Sequence, residues 1–117
     1  ISRLAECVRE TPEDIAKTGL VAPLVGHVGD GNIHLSFLQP LDMHAEEFEP
    51  KRLEFNEMVF ELVHELGGSF SAEHGIGLLR LEEMKQYKDP AGLNIMANIK
   101  NALDPHSVLN PGKVIPR

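Results

Sequence analysis

Residues 21 to 38 alternate apolar with other side chains at period two, in a run rich in Val, Ile, Leu and Phe broken only by Gly29-Asp30-Gly31-Asn32. That pattern predicts a β-hairpin. Asp-Gly favours a two-residue type I′ turn, so Asp30 and Gly31 are expected as the loop. This register sets Val28 against Ile33, Gly26 against Leu35 and Leu24 against Phe37 on one almost wholly apolar face. The other face then carries Val25 with Ser36, His27 with His34 and Gly29 with Asn32. A slip of one residue would turn the histidines into the core and Ile33, Leu35 and Phe37 into water, so the hydrophobic effect decides which face is which.

Elsewhere the period changes. Leu4, Cys7, Val8, Ile15 and Ala16 lie loosely on one helical face between Ser2 and about Thr18, with Pro12 expected to interrupt or restart the helix. Pro50 suits a first helical turn, and Leu53, Phe55, Met58, Val59, Leu62, Val63 and Leu66 follow at helical spacing until Gly67-Gly68. A short extended piece is expected over Ser69 to Glu73 and a short helix over Leu78 to Gln86. Asp89-Pro90 reads as N-cap and first position of a last helix running to about Leu103. The proline-rich tail from Leu103 to Lys113 should be an irregular ordered strap. The order describes an α+β fold, a small antiparallel sheet covered on one face by helices.

The chain has 117 residues, 42% hydrophobic and 25% charged side chains, and no Trp, which fits a single domain over 1–117 with a modest core. Its formal charge of −7, with Lys and Arg scattered, argues against a nucleic-acid partner. No apolar run approaches the roughly 20 residues that span a bilayer, and the amino terminus lacks a secretion signal, so a soluble, cytoplasmic protein is expected. The single cysteine, Cys7, excludes an internal disulfide and is expected to be a packing residue. The opening Ile1-Ser2-Arg3, without an initiator Met, is the pattern of a fragment.

In the expected register His27 and His34 are directly opposed, with Cβ atoms about 4.5–5.5 Å apart. Their imidazoles can converge on an ion held about 2.0–2.1 Å from each nitrogen. Gly26 and Gly29 would leave space above the sheet. The bland alternative is an exposed cross-strand polar pair. A third ligand is available in Ser71-Ala72-Glu73-His74-Gly75, where Glu73 would complete a His₂-carboxylate set that keeps positions open for substrate, and His74 would stay unligated as a base. Against this stand a solvated carboxylate and a turn histidine. His44, His64 and His106 have no partner at ligand spacing and read as structural or surface residues. The glycines lack the spacing and the Gly-Lys-Ser/Thr ending of a phosphate loop.

Three ordered motifs resemble a known family: Gly26-His27-Val28-Gly29-Asp30-Gly31-Asn32-Ile33-His34, then Ser71-Ala72-Glu73-His74-Gly75-Ile76-Gly77, then Leu103-Asp104-Pro105 with Leu109-Asn110-Pro111-Gly112-Lys113-Val114. They are similar to the carboxy-terminal domain of FAD-linked oxidases and dehydrogenases of the vanillyl-alcohol oxidase type. That group includes D-lactate dehydrogenase, the glycolate oxidase flavin subunit and D-2-hydroxyglutarate dehydrogenase. The resemblance implies part of a ferredoxin-like cap domain, with the FAD-binding domain absent from this chain and acting as its partner. It implies a divalent metal, zinc or manganese, on His27, His34 and Glu73, holding a small 2-hydroxy acid. His74 would take the hydroxyl proton while hydride passes to FAD, and Asn110 would approach the flavin.

Some hydroxy-acid members carry Asn where this chain has Ser36, which leaves the substrate open, and Arg80 is a possible helper for the substrate carboxylate. A fragment of this kind, inactive alone, would expose a strand edge and a helix face, so a homodimer is expected. The alternatives are a freestanding metal-binding or interaction domain without its own catalysis and, last, a metal-dependent hydrolase, for which no oxyanion stabiliser is evident.

Overall fold

In the computed structural model, residues 3–16 and 20–116 are described. The chain divides into two compact units, Ile1–Ala72 and Glu73–Arg117. The first contains helix α1 (Leu4–Ala16), strand β1 (Leu24–His27), strand β2 (Asn32–Leu35) and helix α2 (Ala45–Glu65). The second contains α3 (Leu81–Tyr87), α4 (Pro90–Leu103) and the tail. The fold is α+β, with a two-stranded antiparallel sheet.

Helix α1 runs through Pro12 without the expected break. Thr11 and Ile15, on either side of the proline, are both buried, and that burial holds the second half of the helix in line. Its expected ends, Ser2 and Thr18, lie outside the described residues. Cys7 is half-buried, in keeping with a packing role.

The hairpin pairs in a different register from the one Asp30-Gly31 suggested. Leu24 faces Leu35, Val25 faces His34, Gly26 faces Ile33 and His27 faces Asn32. Val28–Asp30 forms a 3-10 turn, and Gly31 closes it in the left-handed region at φ 73°, its N–H donating to the Val28 carbonyl at 3.2 Å. The connection is therefore a longer loop with glycine in its last position, where a side chain would be strained. Gly26 reinforces this register, because a Cβ there would lie 2.2 Å from the Asn32 carbonyl oxygen. Its role is close strand approach; it does not open space beside His27. The ribbon continues beyond the strands in the same register, with the Ser36 N–H on the Pro23 carbonyl at 3.3 Å and the Leu38 N–H on that of Val21 at 2.9 Å.

The expected faces survive, because the pairing has moved by two positions and side chains alternate with period two. Leu35 and Phe37 pack against a cluster of Ile15, Leu20, Phe48 and Phe55, while Val25 is exposed on the opposite face. Val28, expected in the core, is exposed because it belongs to the turn.

Helix α2 starts at Ala45, five residues before the expected Pro50, which sits inside it. Glu46 and Glu47 favour the positive end of the helix dipole, the His44 carbonyl accepts the Glu47 and Phe48 N–H groups at 3.0 Å, and Phe48 is buried. Core burial of Phe48 thus outweighs the one helical hydrogen bond that Pro50 cannot make. At the other end, the Gly67 N–H reaches the His64 carbonyl at 2.9 Å and the Gly68 N–H that of Val63 at 2.7 Å, a Schellman closure.

The short strand expected at Ser69 to Glu73 does not form. The Ser69 hydroxyl donates to the Ser71 carbonyl at 3.1 Å and accepts the Ser71 N–H at 3.3 Å, so local side-chain bonding replaces a ladder. Helix α4 matches its expectation, with the Asp89 carboxylate accepting the Gly92 N–H at 2.7 Å and Pro90 in the first turn.

Phe55 is the most deeply buried core residue of the first unit at 2% exposure, and its ring lies 5.5 Å from that of Phe37. Phe55→Ala is expected to destabilise this small core by about 3–5 kcal/mol. Leu53→Ala, on an exposed position of the same helix, should change stability by no more than about 0.5 kcal/mol. Urea midpoints of the two variants check the contrast, and equal midpoints would contradict the assigned core.

Candidate metal and proton-transfer site

His27 ends β1 and His34 lies in β2, on the face away from the core. They are not directly opposed as expected. Each faces another residue, Asn32 and Val25 respectively, so the histidines are diagonal neighbours on one face. Diagonal side chains remain within reach when they are long or aromatic. The ring centroids are 6.0 Å apart at an interplanar angle of 73°, and each ring offers a nitrogen within 4.8 Å of the other's. Two nitrogens bonded to one tetrahedral ion sit about 3.4 Å apart, a gap that side-chain rotation alone can close. Two imidazoles, His27 exposed and His34 half-buried, therefore fit a borderline divalent cation.

A cavity of about 390 Å³ in the first unit lies elsewhere, lined by Leu24, Ile33 and Leu35 of the hairpin, Val59 and Val63 of α2, and Cys7 of α1. No histidine lines it, so it does not supply the chemistry of the candidate site. His44 sits at the N-cap of α2 without a capping side-chain bond, and His64 and His106 are exposed. Ser36 is exposed beside β2.

In the second unit, Glu73 and His74 are exposed at its start and are followed by Gly75 and Gly77, both in the left-handed region at φ 74° and 57°. Arg80, the possible carboxylate helper, is ion-paired with Glu83 at 2.8 Å. Asn110 is exposed at a turn of the tail with φ 46°, its side-chain oxygen accepting from Lys113 Nζ at 3.2 Å. A short amide held on an exposed turn fits an edge contact to a planar cofactor.

Asp104 and Lys100 are the feature that sequence reasoning passed over, although Asp104 stood inside a quoted motif. The Asp104 side chain is 2% exposed and pairs with Lys100 Nζ. Its two oxygens also accept the Val108 and Leu109 N–H groups, each at 2.9 Å. The Lys100 ammonium, helped by those backbone donors, holds the Asp104 carboxyl below the usual aspartate range. A Lys four residues before Asp, followed by Pro, was the available signal.

Among the described residues no helix is long and apolar enough to cross a membrane. The family described as FAD linked oxidases, C-terminal domain, matches residues 1–114. A D-2-hydroxyglutarate dehydrogenase of Stutzerimonas stutzeri is 42% identical over 89 residues, covering 76% of this chain and 19% of that protein. A probable mitochondrial D-lactate dehydrogenase of Danio rerio is 36% identical over 117 residues, 98% of this chain and 23% of that protein, and a D-lactate dehydrogenase of Archaeoglobus fulgidus is 37% identical over 114 residues, 97% and 24%. The chain thus spans about a fifth to a quarter of the length of these relatives. With its α+β hairpin-and-helix architecture and a match over nearly its whole length, the chain belongs to the family of FAD-linked oxidase C-terminal domains.

Proposed function

We propose that this chain is the substrate- and metal-binding part of an FAD-dependent dehydrogenase that oxidises a small D-2-hydroxy acid to the 2-oxo acid. The observation that carries the reading is the convergence of His27 and His34 on the outer face of the hairpin, in a chain whose relatives are named D-2-hydroxyglutarate and D-lactate dehydrogenases. His27, His34 and Glu73 are the proposed ligands. Two neutral imidazoles and one carboxylate suit zinc or manganese and leave positions open for substrate oxygens. When bound, such a cation acidifies the substrate hydroxyl and FAD accepts the hydride from C2.

His74 is the proposed base, receiving the hydroxyl proton on a ring nitrogen. An imidazole can accept that proton near neutral pH and release it to solvent afterwards. The exposed position of His74 supports that exchange. Asn110 is the proposed contact to the flavin, which is held mainly by a separate FAD-binding domain.

A panel of D-2-hydroxy acids, assayed with an artificial electron acceptor on the domain joined to its flavin partner, tests the reading. Acceptor reduction with D-lactate or D-2-hydroxyglutarate, abolished by a chelator and restored by zinc or manganese, is expected. Ester hydrolysis without acceptor reduction would overturn it.

A further inference from the structure

The tail that carries Asn110 is pinned at both ends within the second unit. Upstream, the buried Asp104 carboxylate gathers Lys100 Nζ and the N–H groups of Val108 and Leu109, while the same ammonium donates to the Leu109 carbonyl at 2.6 Å. Asn110 is the next residue. Downstream, the Lys113 N–H reaches the Asn110 carbonyl at 3.3 Å, and the Val114 N–H reaches the Gly77 carbonyl at 2.9 Å, three residues beyond His74.

Between these anchors Ser107, Asn110, Gly112 and Val114 all adopt left-handed backbone conformations. Such conformations persist in non-glycine residues only when surrounding interactions over-determine them. A bond to a charged, buried carboxylate is about twice as strong as a neutral one, so the Asp104 cluster is the strongest local determinant of this segment.

We propose that Asp104 and Lys100 are positioning residues, a latch that presents Asn110 to the flavin and ties its turn to the loop carrying His74. This rests on the reading of Asn110 as a flavin contact. Asp104 touches neither substrate nor cofactor; it acts through the backbone of Val108 and Leu109. A latch of this kind has a signature that mere structural support lacks. Once Asn110 is removed, loosening the latch should do no further harm, because the two positions act through one contact.

The test compares Asp104→Ala, Asp104→Asn, Asn110→Ala and the double variant Asp104→Ala/Asn110→Ala in the intact flavoprotein. The readouts are the visible spectrum and fluorescence of the flavin, kcat and KM, and hydrogen exchange at the Val108 and Leu109 amides. Asp104→Ala should shift the flavin spectrum as Asn110→Ala does and lower kcat about 10- to 100-fold with KM little changed. Asp104→Asn, which keeps an oxygen for the backbone donors, should recover part of both effects and secures the comparison if the alanine variant fails to fold. The double variant should match Asn110→Ala. Additive losses, or an Asp104→Asn protein with wild-type flavin spectrum and rapid exchange at both amides, would overturn the latch while leaving Asn110 in its role. A silent Asn110→Ala would overturn the Asn110 reading and the latch with it.

Discussion

His34→Ala, introduced into the flavoprotein that carries this domain, is expected to release the divalent metal and to lower kcat/KM by roughly 10³-fold or more. Removing one ligand forfeits Lewis-acid stabilisation worth several kcal/mol, and each 1.36 kcal/mol is about tenfold in rate. His34 is the more informative of the two histidines, because it lies half-buried inside β2, whereas His27 is exposed at the end of β1. Metal content by elemental analysis and turnover with D-lactate and D-2-hydroxyglutarate are the measurements. Bound flavin should be retained, since the chain's own proposed flavin contact, Asn110, lies in the other unit. Normal turnover in the His34→Ala protein would sink the metal reading.

His74→Gln should produce a loss of different character. The amide keeps the size and hydrogen-bonding capacity of the ring but cannot take a proton from an alcohol. A fall in kcat of about 10²–10⁴-fold is expected, with metal and flavin content unchanged. The sign of the pH effect follows from the role: a base must be unprotonated to act, so the wild-type rate rises with pH as His74 loses its proton, and that rising limb should vanish in the variant. The pH profile of kcat/KM checks this. A His74→Gln enzyme with the wild-type profile would assign the base elsewhere while leaving the metal ligands in place.

The two histidine predictions draw on different parts of the chain, and these were not equally readable. His27 and His34 were assigned to the exposed face from alternation alone, and they remain there although their pairing moved. Glu73 and His74 came from composition and resemblance, and the strand expected to carry them is absent because Ser69 satisfies its neighbours' backbone groups locally. Helix α4 was legible to its first residue because Asp89 and Pro90 act on the few N–H groups at its start, an interaction that needs no distant partner.

What the sequence by itself determined was therefore the set of faces and caps: which side of the hairpin meets the core, where α4 begins and where α2 ends. These depend on period and on neighbours a few residues away. Only the tertiary structure decided the hairpin register, the early start of α2 and the Asp104 latch. The register was settled by the close approach of Gly26 to the Asn32 carbonyl, which an Asp-Gly turn preference does not encode. The start of α2 was settled by burial of Phe48 against Ile15 and Phe55. The latch was settled by a carboxylate that finds its backbone partners only once the tail folds back toward the end of α4. Each of these is a choice among locally acceptable arrangements, and burial and hydrogen bonding across the folded chain make the choice.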